Sequence, residues 1–482
     1  MTDVFTLPEL LQAALIVAVV LLEALFAARG SRLTASMGYA SLFGSLAILA
    51  VALGSWPDSP AGESGVSSAT VFPAYFTVLI LSFSCVTILM SLSRGTAPGE
   101  DSPGMAFYPL MLSSVLGMMV MVRAQDLLAL SVSMELTVLS LQALIICGRS
   151  KRIAVEAGIR LATTGAIASG FFLLGIALVY GATGTTDLMQ LVTIHRESGA
   201  AVSRLTLAGM AVLAVAVGAR IGVVSVHMWL TDVFHGAPAP VAALLASAGT
   251  ASAIAVAMRL CAVGFDLVEE YAVTLVWIAA VLTMTVGNLL AMNQRRLKRL
   301  LGYASLAHIG YAMAGLCVMG NRGGGGVAFY LSFYGLATCG CCAVLLALSR
   351  RRETELEVDD CCGLARTNPL LAGTMLVLLL ALVGVPPTMG FTARYWAMIS
   401  IMDAGFGGLA LGMLMNSLLT AYVYARLIVR VLSPPKAGGS VAVQVYPPLA
   451  AVLVLMLLFC LGGGLWSEPM VAVAHQAGLI GW

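Results

Sequence analysis

Two arginines stand where the surroundings offer a cation little to hold. Residues 211–230, AVLAVAVGARIGVVSVHMWL, set Arg220 among small apolar side chains, and residues 384–396, GVPPTMGFTARYW, do much the same for Arg394. At the centre of a bilayer an arginine costs roughly 2.5–3.5 kcal/mol on insertion scales, so something must offset each charge. Ionisable groups at such depth usually mark pathways. Imidazole titrates near neutral pH, which makes His227 in HMW and His308 in AHIGY candidate proton relays, the alternative being hydrogen-bonded core residues. These residue types suit the movement of charge and protons through an apolar medium.

The elements that hold them are membrane spans. Of 482 residues, 60% are hydrophobic and 10% charged, against about 25% charged in soluble globular chains. A hydrocarbon core of about 30 Å takes roughly 20 residues of helix. Such runs fall approximately at 7–28, 36–53, 72–92, 105–122, 126–147, 157–181, 205–230, 239–262, 272–293, 299–319, 326–349, 369–402, 406–431 and 447–466, which predicts an all-α polytopic membrane protein of about fourteen helices. The amino terminus lacks the basic region and small-residue cleavage site of a signal peptide and reads as a retained first helix.

Alternate loops differ in charge. One set carries Arg29, Arg32, Arg94, Arg149, Lys151, Arg152, Arg295, Arg296, Lys298, Arg299, Arg350, Arg351, Arg352, Arg366, Arg426, Arg430 and Lys436; the other is mostly neutral or acidic, with Asp58, Glu63, Asp187, Glu197, Asp266 and Asp403. The positive-inside rule puts the first set in the cytoplasm and both termini on the outer side of the cell's inner membrane. Helices 4–8 then start from the cytoplasm and helices 9–13 from outside, the condition for an inverted repeat. The expected organisation is 1–104 for three leading helices, 105–262 and 272–431 for the repeats, and 432–482 for a last helix and tail. Helices 7 and 12, each fourth of its five, carry the glycine- and proline-interrupted stretches with Arg220 and Arg394.

Several functions are excluded. No Rossmann fingerprint or phosphate-binding loop is present, and the ten scattered cysteines include no pair of CxxC motifs at metal-ligand spacing. A net charge of +2 gives no reason to expect nucleic acid. The glycine-rich NRGGGGVAF, 321–329, reads as a flexible outer loop. Arg160 and Arg259 fit snorkelling as well as function, Glu23 is expected to face a partner or the interface, and Asp232 and His235 to cap and orient.

Four stretches in order carry a resemblance: AVEAGIRLATTGAIASGFFLLGIALVYGATGTTDL, HMWLTDVFHGAPAPVAALLAS, LKRLLGYASLAHIGYAMAGL and DDCCGLARTNPLLAGTMLVLLLALVGVPPTMGF. Over roughly residues 105–430 the chain resembles subunit N of proton-pumping NADH-quinone oxidoreductase, complex I, whose relatives serve cation/proton antiporters and membrane hydrogenases. The resemblance implies fourteen helices with the inverted repeat and a proton path using a glutamate on helix 5 and lysines on helices 7, 8 and 12. The glutamate matches Glu135 in SVSMELTVLSLQ; the lysines fall on Arg220, Thr250 and Arg394, and a further one on helix 6 on Arg160. The proline that usually breaks helix 7 is Ser225, and all three lysines, Lys151, Lys298 and Lys436, lie at the cytoplasmic edge or in loops.

The exchange of lysine for arginine is not neutral. A lysine shares its proton near neutral pH if its pKa, ordinarily about 10.4, falls by about 3.4, roughly 4.6 kcal/mol, which burial can supply. Arginine starts above 12 and would need on the order of 8 kcal/mol. Arg220 and Arg394 are therefore expected to stay cationic, with Arg220 holding Glu135 ionised in a buried pair while protons move on other groups. The resemblance further implies other membrane-arm subunits as partners within the lipid bilayer, with flavin, iron–sulfur clusters and quinone on those partners and no cofactor in this chain. Two other readings stay open: a structural subunit that lost proton transfer with its lysines, and an antiporter subunit of a cation/proton exchanger.

Overall fold

A computed structural model describes residues 6–26, 31–56, 68–94, 106–147, 152–198, 203–318, 323–349, 356–434, 443 and 445–478. Nineteen α-helices occur among them. The first three are α1 (Leu7–Phe26), α2 (Ser31–Gly54) and α3 (Ser68–Leu92). Next come α4 (Phe107–Arg123), α5 (Leu127–Cys147), α6 (Arg152–Thr183), α7 (Leu188–Ser198), α8 (Arg204–Ile221), α9 (Met228–Gly236) and α10 (Ala239–Leu244). A π-turn, Leu245–Gly249, leads into α11 (Thr250–Met292), followed by α12 (Leu297–Leu316) and α13 (Gly323–Ser349). A 3₁₀ turn, Val358–Cys361, precedes α14 (Leu364–Thr367), α15 (Pro369–Val383), α16 (Met389–Asp403), α17 (Gly407–Leu432), α18 (Pro447–Leu465) and α19 (Glu468–Gly478).

Helices dominate because lipid offers the backbone no hydrogen bonds, so each segment must satisfy its own. Ten windows are long and apolar enough to cross a membrane, and Leu7–Leu22, Phe107–Arg123 and Pro369–Val383 are shorter apolar helices. The chain is a multi-pass, all-helical membrane protein. Of the expected spans without such a window, three are these shorter helices and the fourth is α12, which carries Lys298, Ser305 and His308 and is buried along nearly its whole length, so that it needs no apolar face for lipid. At the middle of the molecule α13 packs against α3, α10, α12, α15, α16, α18 and α19.

The two interrupted spans break by one pattern. α8 ends on Gly222 at φ 87° and α15 on Gly384 at φ 83°, a left-handed conformation that glycine adopts without a Cβ clash. Gly222 and Val223 both donate to the Gly218 carbonyl, and Gly384 and Val385 both donate to that of Leu380. Helix resumes at Met228 and at Met389. Two lone β-bridges also correspond. Asp126, just before α5, pairs with Asp187 after α6, while Arg296, just before α12, pairs with Glu357 after α13.

Other segments depart from expectation. The stretch 263–271, read as a loop between two spans, continues α11, because a lone Gly264 among good helix formers costs only about 1 kcal/mol; the apolar windows Ala239–Gly264 and Ala272–Met292 stay distinct. Of the glycine-rich stretch, 321–322 lie outside the described residues and the rest opens α13. A Cβ on Gly325 would lie 2.6 Å from the His475 Cα of α19, so close helix packing, not loop flexibility, accounts for that glycine. The short helices α7 and α19 were not foreseen.

Candidate functional site

At the first break Arg220 sits in the last turn of α8, where the C-terminal end of the helix dipole favours a cation. Its Nη2 donates to the Glu135 carboxylate of α5 and, at 2.5 Å, to the Ser169 hydroxyl of α6, which itself donates to the same carboxylate oxygen. Arg220 is 10% exposed but Glu135 36%, so the pair is buried on the guanidinium side and open on the flank of α5. Nη1 of Arg220 is buried with no partner among the described residues. Arg220 borders a cavity of about 60 Å³ lined also by Thr137, Thr164, Gly165, Trp229 and Gly249 among others. That is room for about two waters at ~30 Å³ each in the liquid. The Thr137 and Thr164 hydroxyls already donate to backbone carbonyls, which leaves their oxygens as acceptors.

The backbone groups freed by the break find partners. Trp229 Nε1 donates to the Ala219 carbonyl at 3.1 Å, and Val224 N–H donates to Thr283 Oγ1 of α11 at 3.3 Å. Ser225 takes φ 98°, unusual for a residue with a Cβ. His227 precedes α9, buried, with Nδ1 unpartnered among the described residues. Thr250 is not brought to Arg220 by any hydrogen bond; it donates to the Leu245 carbonyl at 3.2 Å within the π-turn, whose Leu245 and Gly249 line the cavity.

The second break holds its arginine otherwise. Arg394, in α16, reaches back to the end of α15 and donates to the carbonyls of Val383 and Leu382, both at 2.6 Å. Its guanidinium lies 4.8 Å from the centre of the Tyr311 ring. No carboxylate pairs with it among the described residues. His308, fully enclosed, meets the Tyr330 hydroxyl at Nδ1 (2.7 Å) and the Tyr424 hydroxyl at Nε2 (3.3 Å) and stacks on Tyr334. Tyr311 meets Thr420, Thr420 donates to Asn288, and Asn288 meets Asn416, which donates to Thr285. His308 thus joins Arg394 through aromatic neighbours and stands apart from the Glu135–Arg220 pair.

At one end of the bundle a charged latch ties α9 to α12. Arg160, half-exposed, donates to Asp232 and to Glu156, and Arg299 lies 3.8 Å from Asp232. Arg296 meets His235 Nε2 at 2.8 Å, and Lys298 donates to the Ala237 carbonyl. Burial, then the charges of Arg299, Arg296 and Lys298, push the His235 pKa down to about 4, so the ring stays neutral. Lys298, the second residue of α12, is 2% exposed because its ammonium donates to the Ala237 carbonyl at the turn between α9 and α10. Arg259 does not snorkel: it is buried on the Ala124 carbonyl. Lys151, Lys436 and the Glu23 side chain lie outside the described residues.

Sequence reasoning missed Ser169, the tyrosines around His308 and the Asn288–Asn416 pair. A lone serine in a helix carries no signal. The two asparagines do, since a side-chain amide inside an apolar run needs a partner as a charge does.

Residues 124–420 match the family described as NADH:quinone oxidoreductase/Mrp antiporter, TM. The chain is 32% identical over 444 residues to NADH-quinone oxidoreductase subunit N of Trichlorobacter lovleyi, covering 92% of this chain and 90% of that one. It is 32% identical over 485 residues to the subunit N of Thiobacillus denitrificans, covering 98% and 96%. Among solved structures it resembles a chain of respiratory complex I from Thermus thermophilus with a TM-score of 0.79 and 29% identity, over 98% of this chain and all of that one. A chain of the Mrp complex from Dietzia shares the fold at a TM-score of 0.86 and 21% identity, over 98% and 97%.

Proposed function

The chain belongs to the subunit N family of NADH-quinone oxidoreductases, and from that premise we propose that it is an antiporter-like subunit in the membrane arm of a complex I-type translocase, moving protons while partner subunits carry the electrons. The observation that carries this reading is the Glu135–Ser169–Arg220 contact at a helix break, beside a small cavity. The guanidinium keeps its charge, so the titrating group of the pair is the carboxylate. Glu135 takes up a proton when the Arg220 donors leave it, and the cavity beside Arg220, with the acceptor oxygens of Thr137 and Thr164, is where those donors go. Arg220 is thus a fixed cation that switches partner. In the other half, His308 between two phenols is the group able to accept on one ring nitrogen and donate on the other.

We read the fold as fourteen crossings with inverted repeats at 105–262 and 272–431 and both termini on the outer side. The matched glycine breaks and the matched β-bridges support it. One bridge joins two aspartates and the other includes an arginine, as expected for an outer and a cytoplasmic face. His227, Thr250 and Arg160 take lesser parts in this reading: a relay beside the break, a support of the π-turn and a latch to Asp232. Flavin, clusters and quinone belong to the partners. Proton stoichiometry per electron pair in vesicles reconstituted with the whole complex tests it. Glu135→Gln and Arg220→Ala lower the stoichiometry; unchanged values in both would leave the chain a structural subunit, and sodium- or potassium-dependent exchange without an electron donor would make it an antiporter.

A further inference from the structure

A second buried ion cluster lies apart from both breaks. Glu9 of α1, fully buried, accepts from Arg123 Nε at 2.8 Å and from the Thr6 N–H at 2.9 Å. Arg259 of α11, 5% exposed, donates to the carbonyl of Ala124, the residue after Arg123, at 2.6 Å and lies 5.1 Å from the centre of the Phe72 ring. Two guanidinium groups and one carboxylate leave the cluster with one net positive charge. The structure tolerates it because Arg259 rests on the C-terminal carbonyl of α4, the negative end of that helix, and on an aromatic face.

Its place gives it a task. Met121 of α4 and Ala253 of α11 line the cavity beside Arg220. Arg123 follows Met121 by two residues and Arg259 follows Ala253 by six, about 3 Å and 9 Å farther along the same helices at ~1.5 Å per residue. The cluster therefore lies farther along both helices than the cavity. We propose that Arg123, held by Glu9, and Arg259, held by the Ala124 carbonyl, form a fixed cationic seal that keeps protons from flowing back through the first half to the Arg220 site. A permanent positive charge in a low-dielectric constriction repels a hydrated proton while costing nothing in turnover, since arginine never releases its own. This inference rests on the reading of the Glu135–Arg220 site as part of a proton route.

Passive leak tests it. Whole complex is reconstituted in vesicles carrying a pH-sensitive dye, left without electron donor, and given a potassium diffusion potential. Arg259→Gln, which leaves the cluster neutral, raises the protein-dependent proton leak about tenfold, the effect of one unit charge across about 10 Å at moderate dielectric. Arg123→Gln does the same should Arg259→Gln fail to assemble, and Arg259→Lys keeps the leak low. Glu9→Gln breaks the same ion pair but makes the cluster more positive, so its leak stays at or below wild type. Wild-type leak in both glutamine variants of the arginines, or a Glu9→Gln leak equal to theirs, overturns the seal and leaves a packing contact. Donor-driven stoichiometry in Glu135→Gln judges the route separately, since a seal without a route and a route without a seal differ in these two readings.

Discussion

Arg220 lies two residues before the left-handed glycine of its break, and Arg394 ten residues after the glycine of the other. Counted from the glycines, the counterpart of Arg220 is Leu382, whose carbonyl is one of the two that Arg394 holds. Similar local sequence and matching backbone geometry therefore carry different electrostatics. The first arginine is neutralised by an acid on another helix, borders a cavity and has a donor without a partner among the described residues; the second is neutralised by the carbonyl end of the half-helix in front of it. The first arrangement pairs its cation with a carboxylate, the second with backbone carbonyls and an aromatic ring beside His308.

The largest test removes each arginine. Arg220→Leu leaves Glu135 as an unpaired carboxylate and destabilises the subunit by about 3 kcal/mol, at the low end for a stranded buried charge because the acid is partly exposed. Adding Glu135→Leu restores most of the loss, measurable as a double-mutant cycle on detergent-solubilised complex. Arg394→Leu strands no charge but removes two charge-assisted bonds, at about 3 kcal/mol or more, with no second-site rescue from any carboxylate. A rescue for Arg394 equal to that for Arg220 would erase the contrast.

Acid stability sharpens it on the α9 side. His235 has its pKa depressed to about 4 by burial and by its basic neighbours, so below the ordinary value near 6.5 the unfolded chain binds the proton and the folded one does not. Stability present above pH 6.5 is therefore lost as pH falls toward 4, about 2 kcal/mol by pH 5. His235→Gln flattens that limb in a Tm-against-pH profile; an unchanged limb would mean that the latch between α9 and α12 does not report on protonation. The smallest effect concerns the backbone. Ser225→Gly relieves a left-handed serine and raises stability by about 1 kcal/mol or less, read as a small rise in Tm, with no equivalent gain at the Pro386–Pro387 turn of the other break.

Legibility followed the length scale of each cause. The interruptions at Gly222 and Gly384 could be read because a helix break depends on adjacent residues. The spans could be read from local apolar runs, α12 among them, but not that α12 is enclosed by protein along nearly its whole length. The burial of Lys298 could not be read, since nothing near it in sequence announces the Ala237 carbonyl sixty-one residues away. Arg259 looked free to snorkel for the same reason.

Sequence alone determined that the chain lives in a membrane, that two of its helices break, and that the cations near those breaks are permanent. Lipid imposes the first, backbone sterics the second and guanidinium chemistry the third, each acting on a residue and its immediate neighbours. The resemblance already pointed to Arg220 meeting Glu135 across eighty-five residues, whereas tertiary structure alone decided that Ser169 joins them and that Arg394 meets carbonyls eleven and twelve residues back. The partner of a buried charge is set by which helix faces it at that depth, and only the packed bundle specifies that.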